Sequence, residues 1–286
     1  MSRDSTQTGR SLQPKQPSGE NPYFAVKEIK SQDYDEYRNE VSVLERFSGS
    51  NKGHSHLIRL LMAFKHGERY YLLFRWAEGN LVDLWKKHRL SPTSSSDTRW
   101  LIKQSLGMAD GLRKINCHSS WDQSGSNGTA HKDRKYRGRH GDIKPENILW
   151  FEKDGDTQHH LVISDFGLTR FHSPDSVSRV ANRLVGGFSP TYSPPELDLQ
   201  EELSQKYDIW SLGCLYLEFL TWFLLGYRET RFNFVNARQA DDDRKDKVKM
   251  YKFFNVTQNN PSGAVVKKSV TEVSLACSID RPTRDS

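Results

Sequence analysis

A chain of 286 residues with only 35% hydrophobic residues is long enough for a sizeable core, but it must gather its apolar residues into a folded middle with polar ends. Lysine and arginine exceed aspartate and glutamate by 42 to 36, yet the basic residues are scattered among carboxylates. No stripe of arginines and aromatics appears, so no nucleic-acid surface is expected.

Cys117, Cys214 and Cys277 lie far apart without CxxC or histidine-rich spacing, a pattern that excludes a disulfide framework or zinc site and fits a reducing compartment. Residues 1–22, rich in Ser, Gln, Pro, Gly and charge, read as a disordered tail with no apolar run for a signal or anchor. YFAVKEI then has the alternation of a strand, and Tyr37, Val41, Leu44 and Phe47 recur at helical spacing. HLIRLLMAFKHGERYYLLFRWA predicts two strands around a turn at Lys65–Arg69. Leu81–His88 predicts a short helix, and Asp97–Asn116 a longer one entered through a Ser/Thr-rich start.

Residues 117–139, polar and glycine-rich, predict a surface insertion. ILWF and HLVIS predict two strands around a turn at Lys153–His159. Ile209–Tyr227 is long enough to cross a bilayer, but Glu218 at mid-span would cost about 2.5–3.5 kcal/mol, so a buried core helix is expected and no membrane. Beyond Tyr227 the chain is charged and weakly periodic, and no internal repeat is present.

The sharpest chemical signal is HGDIKPENILWF, His140–Phe151, followed by SDFGL, Ser164–Leu168. Alone, Asp142 reads equally as a turn aspartate and Asn147 as a capping residue. Together and in this order, the two strings resemble the catalytic domain of eukaryotic serine/threonine protein kinases. The wording of the first is also similar to kinase-like proteins of filamentous fungi.

That resemblance implies an α+β, two-lobed fold. Residues 23–77 would form a small antiparallel-sheet lobe and residues 78–286 a larger helical lobe. It further implies transfer of the ATP γ-phosphate to serine or threonine hydroxyls of a protein substrate, with ATP and Mg2+ as cofactors. Asp142 would accept the hydroxyl proton, Lys144 would steady the γ-phosphate, and Asn147 and Asp165 would hold magnesium through hard oxygen ligands. Lys27, in AVK, would bind phosphate with Glu40 as its ion-pair partner. Phe74 would be the gatekeeper, with Arg75, Trp76 and Ala77 forming the adenine-binding hinge. Phe166 and Gly167 would open the activation segment, Ser189 would occupy its usual threonine position, and YSPPE, Tyr192–Glu196, would form its end, with Pro194 replacing the usual alanine. DIWSLG, Asp208–Gly213, would begin the buried helix. The resemblance covers residues 23–227, favours a cytoplasmic or nuclear location, and leaves the oligomeric state open.

Three departures accompany it. Gly141 replaces the arginine that usually precedes the catalytic aspartate, which removes the socket for an activation-loop phosphate. No GxGxxG precedes Lys27, so the small lobe is expected to be truncated and to lack its glycine-rich loop. The helical lobe is expected to be incomplete at its C-terminal end, with Arg281 a candidate partner for Glu196. A pseudokinase scaffold, or a truncated and inactive fragment, is therefore the alternative reading.

Overall fold

The computed structural model describes residues 23–30, 34–48, 53–88, 94–120, 134–153, 156–172, 189–243, 251–257 and 263–279. Strand β1 (Phe24–Lys30) leads into helix α1 (Tyr34–Ser48), then β2 (Leu60–His66) and β3 (Arg69–Arg75), which turn on Gly67 at φ +57°. The strands form an antiparallel sheet in the order β1-β3-β2. Directly opposed residues share a face. One face therefore carries Ala25, Phe74 and Leu60, then Lys27, Leu72 and Ala63, then Ile29 and Tyr70. This face takes α1, whose Val43, Leu44 and Phe47 are buried and whose Tyr37 stacks on Tyr70 at 4.3 Å. Phe24, Val26, Met62 and Phe64, on the other face, are exposed.

The chain continues through the short strand β4 (Gly79–Asn80) into α2 (Leu81–Lys87) and α3 (Ser95–Asn116). Both helices begin in capping boxes, Asn80 with Asp83 and Ser94 with Asp97, which satisfy the first unpaired amides. Strands β5 (His118–Ser120) and β6 (Arg134–Arg139) follow, then a 3-10 turn at Pro145–Asn147. Next come β7 (Ile148–Lys153), β8 (Asp156–Ile163) and β9 (Arg170–His172). They build two small sheets, β4-β7-β8 and β5-β6-β9.

Helices α4 (Pro195–Asp198), α5 (Lys206–Leu225) and α6 (Phe234–Ala240), the last entered through a π-helical turn at Glu229–Asn233, lead to the hairpin β10 (Phe254–Val256) and β11 (Ala264–Val266). Helix α7 (Lys268–Ile279) closes the described chain. The architecture is the expected α+β, kinase-like one.

Helix α5 passes through the core, with Leu215, Phe219, Trp222 and Phe223 all buried, and this accounts for its apolar length. Fully burying such side chains stabilises by about 1.5–3 kcal/mol each. Glu218 is buried as well, but paired: Arg238 Nη2 lies 2.8 Å from one carboxylate oxygen and the Tyr192 hydroxyl donates to the other at 2.8 Å. The Arg238 guanidinium is itself held between the Phe234 and Phe253 rings.

Two segments differ from expectation. The polar stretch 117–139 was expected as a surface insertion, but both its ends are strands, because β6 pairs through its backbone with β5 on one side and β9 on the other. Residues 121–133 lie outside the described residues. The weakly periodic chain after Tyr227 folds into α6, the β10–β11 hairpin and α7, around buried Phe234, Phe253 and Val270.

Candidate active site

Lys27 projects from the middle of β1, and α1 carries Glu40 beneath it. Its Nζ lies 2.9 Å from each Glu40 carboxylate oxygen and 3.0 Å from Asp165 Oδ1. Burial alone would lower the Lys27 pKa, but the two carboxylates outweigh it and hold the ammonium above its usual value. Burial pulls Asp165 upward, and Lys27 more than reverses that. Burial likewise raises Glu40 against the pull of Lys27. With Lys27 Nζ on both its oxygens, Glu40 stands as the carboxylate of an ion pair. Asp165 has a left-handed backbone, φ +63°, which costs a non-glycine residue about 1–3 kcal/mol and recurs at functional positions.

The second cluster forms on the loop between β6 and β7. Asp142 Oδ2 receives Lys144 Nζ at 2.7 Å and Asn147 Nδ2 at 2.8 Å, while the Ser189 N–H reaches Oδ1 at 3.3 Å. Asn147 also donates to the Asp142 carbonyl, and its own carbonyl accepts from both the backbone and the hydroxyl of Ser164. The Asn147 amide nitrogen is thus spent within the loop, leaving its side-chain oxygen as an acceptor. His140 accepts the Asp142 N–H at Nδ1, so its Nε2 carries the proton donated to the Ser164 carbonyl. Phe166 is buried between Phe47 and His140. The Gly167 N–H points at Asp165 Oδ1 at 3.5 Å.

The other expected residues are more dispersed. Phe74 lies on the inner sheet face beside β1, half-buried. Arg75 stands over the Phe151 ring, Trp76 meets Tyr23, and Ala77 packs on the core. The connection is fixed beyond this by the Glu78 N–H donating to the Trp150 carbonyl. Glu196 sits on α4, and no ion pair reaches it among the described residues. Arg281, its expected partner, is outside them.

Asp208 had been read only as the start of α5. It is fully buried, and its carboxylate accepts the His140 N–H at 2.7 Å and the Gly141 N–H at 2.9 Å, so it fixes the loop that carries Asp142. An acidic residue opening an otherwise apolar helix was the available signal. Asn39 donates to the Thr169 carbonyl at 3.3 Å, tying α1 to the segment after Asp165. The loop before β2 is bound to β8: the Ile58 N–H donates to the Ile163 carbonyl, the Ile163 N–H donates to the His56 carbonyl, and His56 Nδ1 donates to the Leu161 carbonyl at 2.7 Å. No sequence pattern pointed to these two contacts.

A protein kinase domain model matches residues 131–277. Among curated proteins, the chain is similar to a G-type lectin S-receptor-like serine/threonine-protein kinase of Arabidopsis thaliana, 27% identical over 203 residues that cover 69% of this chain and 21% of the relative. A proline-rich receptor-like protein kinase of the same plant is 29% identical over 208 residues, 72% of this chain and 27% of the relative. Homeodomain-interacting protein kinase 1 of Mus musculus is 30% identical over 186 residues, 64% of this chain and 13% of the relative. The chain spans about a fifth of the length of the first of these curated relatives.

Proposed function

This chain belongs to the protein kinase family, and from that membership we propose that it transfers the γ-phosphate of ATP to serine or threonine hydroxyls of a protein substrate. The observation that carries the reading is the convergence of Lys27, Glu40 and Asp165, from β1, α1 and the end of β8, within 3.0 Å of one ammonium nitrogen. A lysine held charged between two carboxylates is ready to exchange one of them for a phosphate.

In this reading Asp142 accepts the proton of the substrate hydroxyl. Lys144 and Asn147 hold Oδ2, which leaves Oδ1, touched only weakly by the Ser189 N–H, as the oxygen turned to the substrate. Lys27 orients the nucleotide phosphates, Glu40 orients Lys27, and Lys144 sits where it can follow the transferred phosphate. Phe74 borders the adenine site and the backbone of Arg75, Trp76 and Ala77 binds the base. Phe166 and Gly167 fix Asp165, and Ser189 and Glu196 belong to the substrate-facing segment.

The side-chain oxygen of Asn147 and the Asp165 carboxylate fit Mg2+ as hard donors, and the ion when bound supplies charge neutralisation between phosphate oxygens. Three unpaired cysteines fit a reducing, cytoplasmic or nuclear setting.

The reading is tested by radiolabelled phosphate transfer from MgATP to a protein acceptor, with Asp142→Asn as the control. The variant should lose about 10²–10⁴-fold in rate with nucleotide affinity nearly intact. Equal rates would remove Asp142 from the mechanism.

A further inference from the structure

We propose that Lys252 is a positioning residue for this transfer: it clamps Asp198 and thereby holds the end of the activation segment, with Ser189, against the catalytic loop. The inference rests on the kinase reading above for its functional meaning, though its geometry does not.

Lys252 lies just before β10, far from α4 in sequence, yet its Nζ sits 2.6 and 2.7 Å from the two carboxylate oxygens of Asp198, the last residue of α4. The lysine side chain is only 7% exposed. An ammonium taken out of water is costly unless it is paired and hydrogen-bonded, so the contact with Asp198 is one the fold must keep. Its ammonium has a second partner. The ammonium stands over the Phe254 ring at 5.3 Å, and Phe254 packs edge-on against Trp210 of α5 at 5.6 Å. The clamp is thus mounted on the helix that also carries Asp208.

A second contact shows that α4 is seated on this hairpin. Leu199, its C-cap, rests on Gly263 at the start of β11, where φ is +67° and an added Cβ would come 2.9 Å from Leu199 Cδ2. Upstream of α4 the same segment is pinned at Tyr192, whose carbonyl accepts the Ser211 hydroxyl at 2.8 Å, and then reaches Asp142 through the Ser189 N–H. The stretch from Ser189 to Leu199 is therefore fixed at both ends, with the catalytic aspartate at one end and Lys252 at the other. Releasing the Lys252 end should disturb acceptor binding, whereas Lys27, Asn147 and Asp165 are held by other contacts.

The test uses Lys252→Met, Lys252→Arg and Asp198→Asn in the full 286-residue chain. Steady-state transfer from MgATP to myelin basic protein is combined with hydrogen exchange. In Lys252→Met and Asp198→Asn, kcat/KM for the protein acceptor should fall about tenfold or more, with the KM for ATP changed by less than about twofold. Lys252→Arg should recover most of the loss. The amides of Leu197, Leu199 and Glu201 should exchange about tenfold faster, while those of α5 keep their protection.

Unchanged acceptor kinetics in Asp198→Asn, or a loss falling equally on ATP, overturns the proposal. If Lys252→Met does not fold, Asp198→Asn decides, because it alters only the partly exposed partner. If the parent chain transfers no phosphate, the kinase reading fails by itself. The exchange experiment still judges the clamp, and unchanged protection at 197–201 in Asp198→Asn refutes it.

Discussion

Gly141 stands at φ +85° between two residues on which the site depends, His140 and Asp142, and its N–H is held by Asp208. Glycine adopts this conformation without the strain a side chain brings. The nearby arginine does not replace the missing cation, because Arg139 is buried with its guanidinium over the Tyr207 ring at 5.4 Å. With Gly141 in place of that cation and the Lys144 ammonium engaged by Asp142, a phosphate on the activation segment should order it little. We therefore predict that treating active protein with a phosphatase leaves more than about a tenth of its activity, and a collapse below that would refute the argument. At this scale the sequence was most informative where residues cluster along the chain. Asp142, Lys144 and Asn147 stand within one short string, so their convergence was legible. The roles of Asp208 and Lys252 were not, because each depends on a partner brought near only by folding.

Among the elements, the loop from Gly53 to Arg59 is the least conspicuous in sequence and among the most constrained in space. It joins α1 to β2 and is stitched to β8 by the Leu57–Ile163 bridge, while His56 fills the space over Gly107 of α3. A Cβ at Gly107 would collide with the His56 ring, whose Nδ1 is committed to the Leu161 carbonyl and cannot easily turn away. Gly107→Ala, otherwise favourable in a helix, should therefore destabilise by about 1–3 kcal/mol, readable from urea unfolding. A stabilised variant would show that the loop yields freely.

Helices α1, α3 and α5 were readable because a buried stripe, or a run of apolar residues most of which are buried, leaves its mark in composition. Strands β5, β6, β10 and β11 were not. They are short and defined by backbone pairing, which the residue types in them do not encode.

At the scale of the whole molecule, the two histidine clusters flanking β8 couple folding to pH. The His56 ring meets that of His160 at 4.4 Å, tilted by 54°, and lies near His54 and Lys103; burial first, and the histidines next, push its pKa down to about 4. His88 and His159 face each other at 4.4 Å, and both are also lowered by burial, with Lys87 opposing protonation and Glu152 favouring it.

A histidine whose native pKa lies below its unfolded value binds fewer protons when folded. Its contribution is complete above about pH 6.5 and is lost as the pH falls toward 4. For His56 the difference amounts to roughly 3 kcal/mol at about 1.36 kcal/mol per unit. The Asp165 carboxyl, held below its usual value of 3.8, loses its contribution only at lower pH, outside this window. Urea unfolding free energies measured between pH 7.5 and 5 should therefore decline for the parent chain. They should decline less steeply for His56→Asn, which keeps an N–H for the Leu161 carbonyl but cannot titrate. Parallel slopes in the two proteins would mean that His56 is protonated in the folded state as readily as in the unfolded one. The loop between α1 and β2 would then be open to water, and the anchorage that sets Glu40 against Lys27 would have to come from elsewhere in the fold.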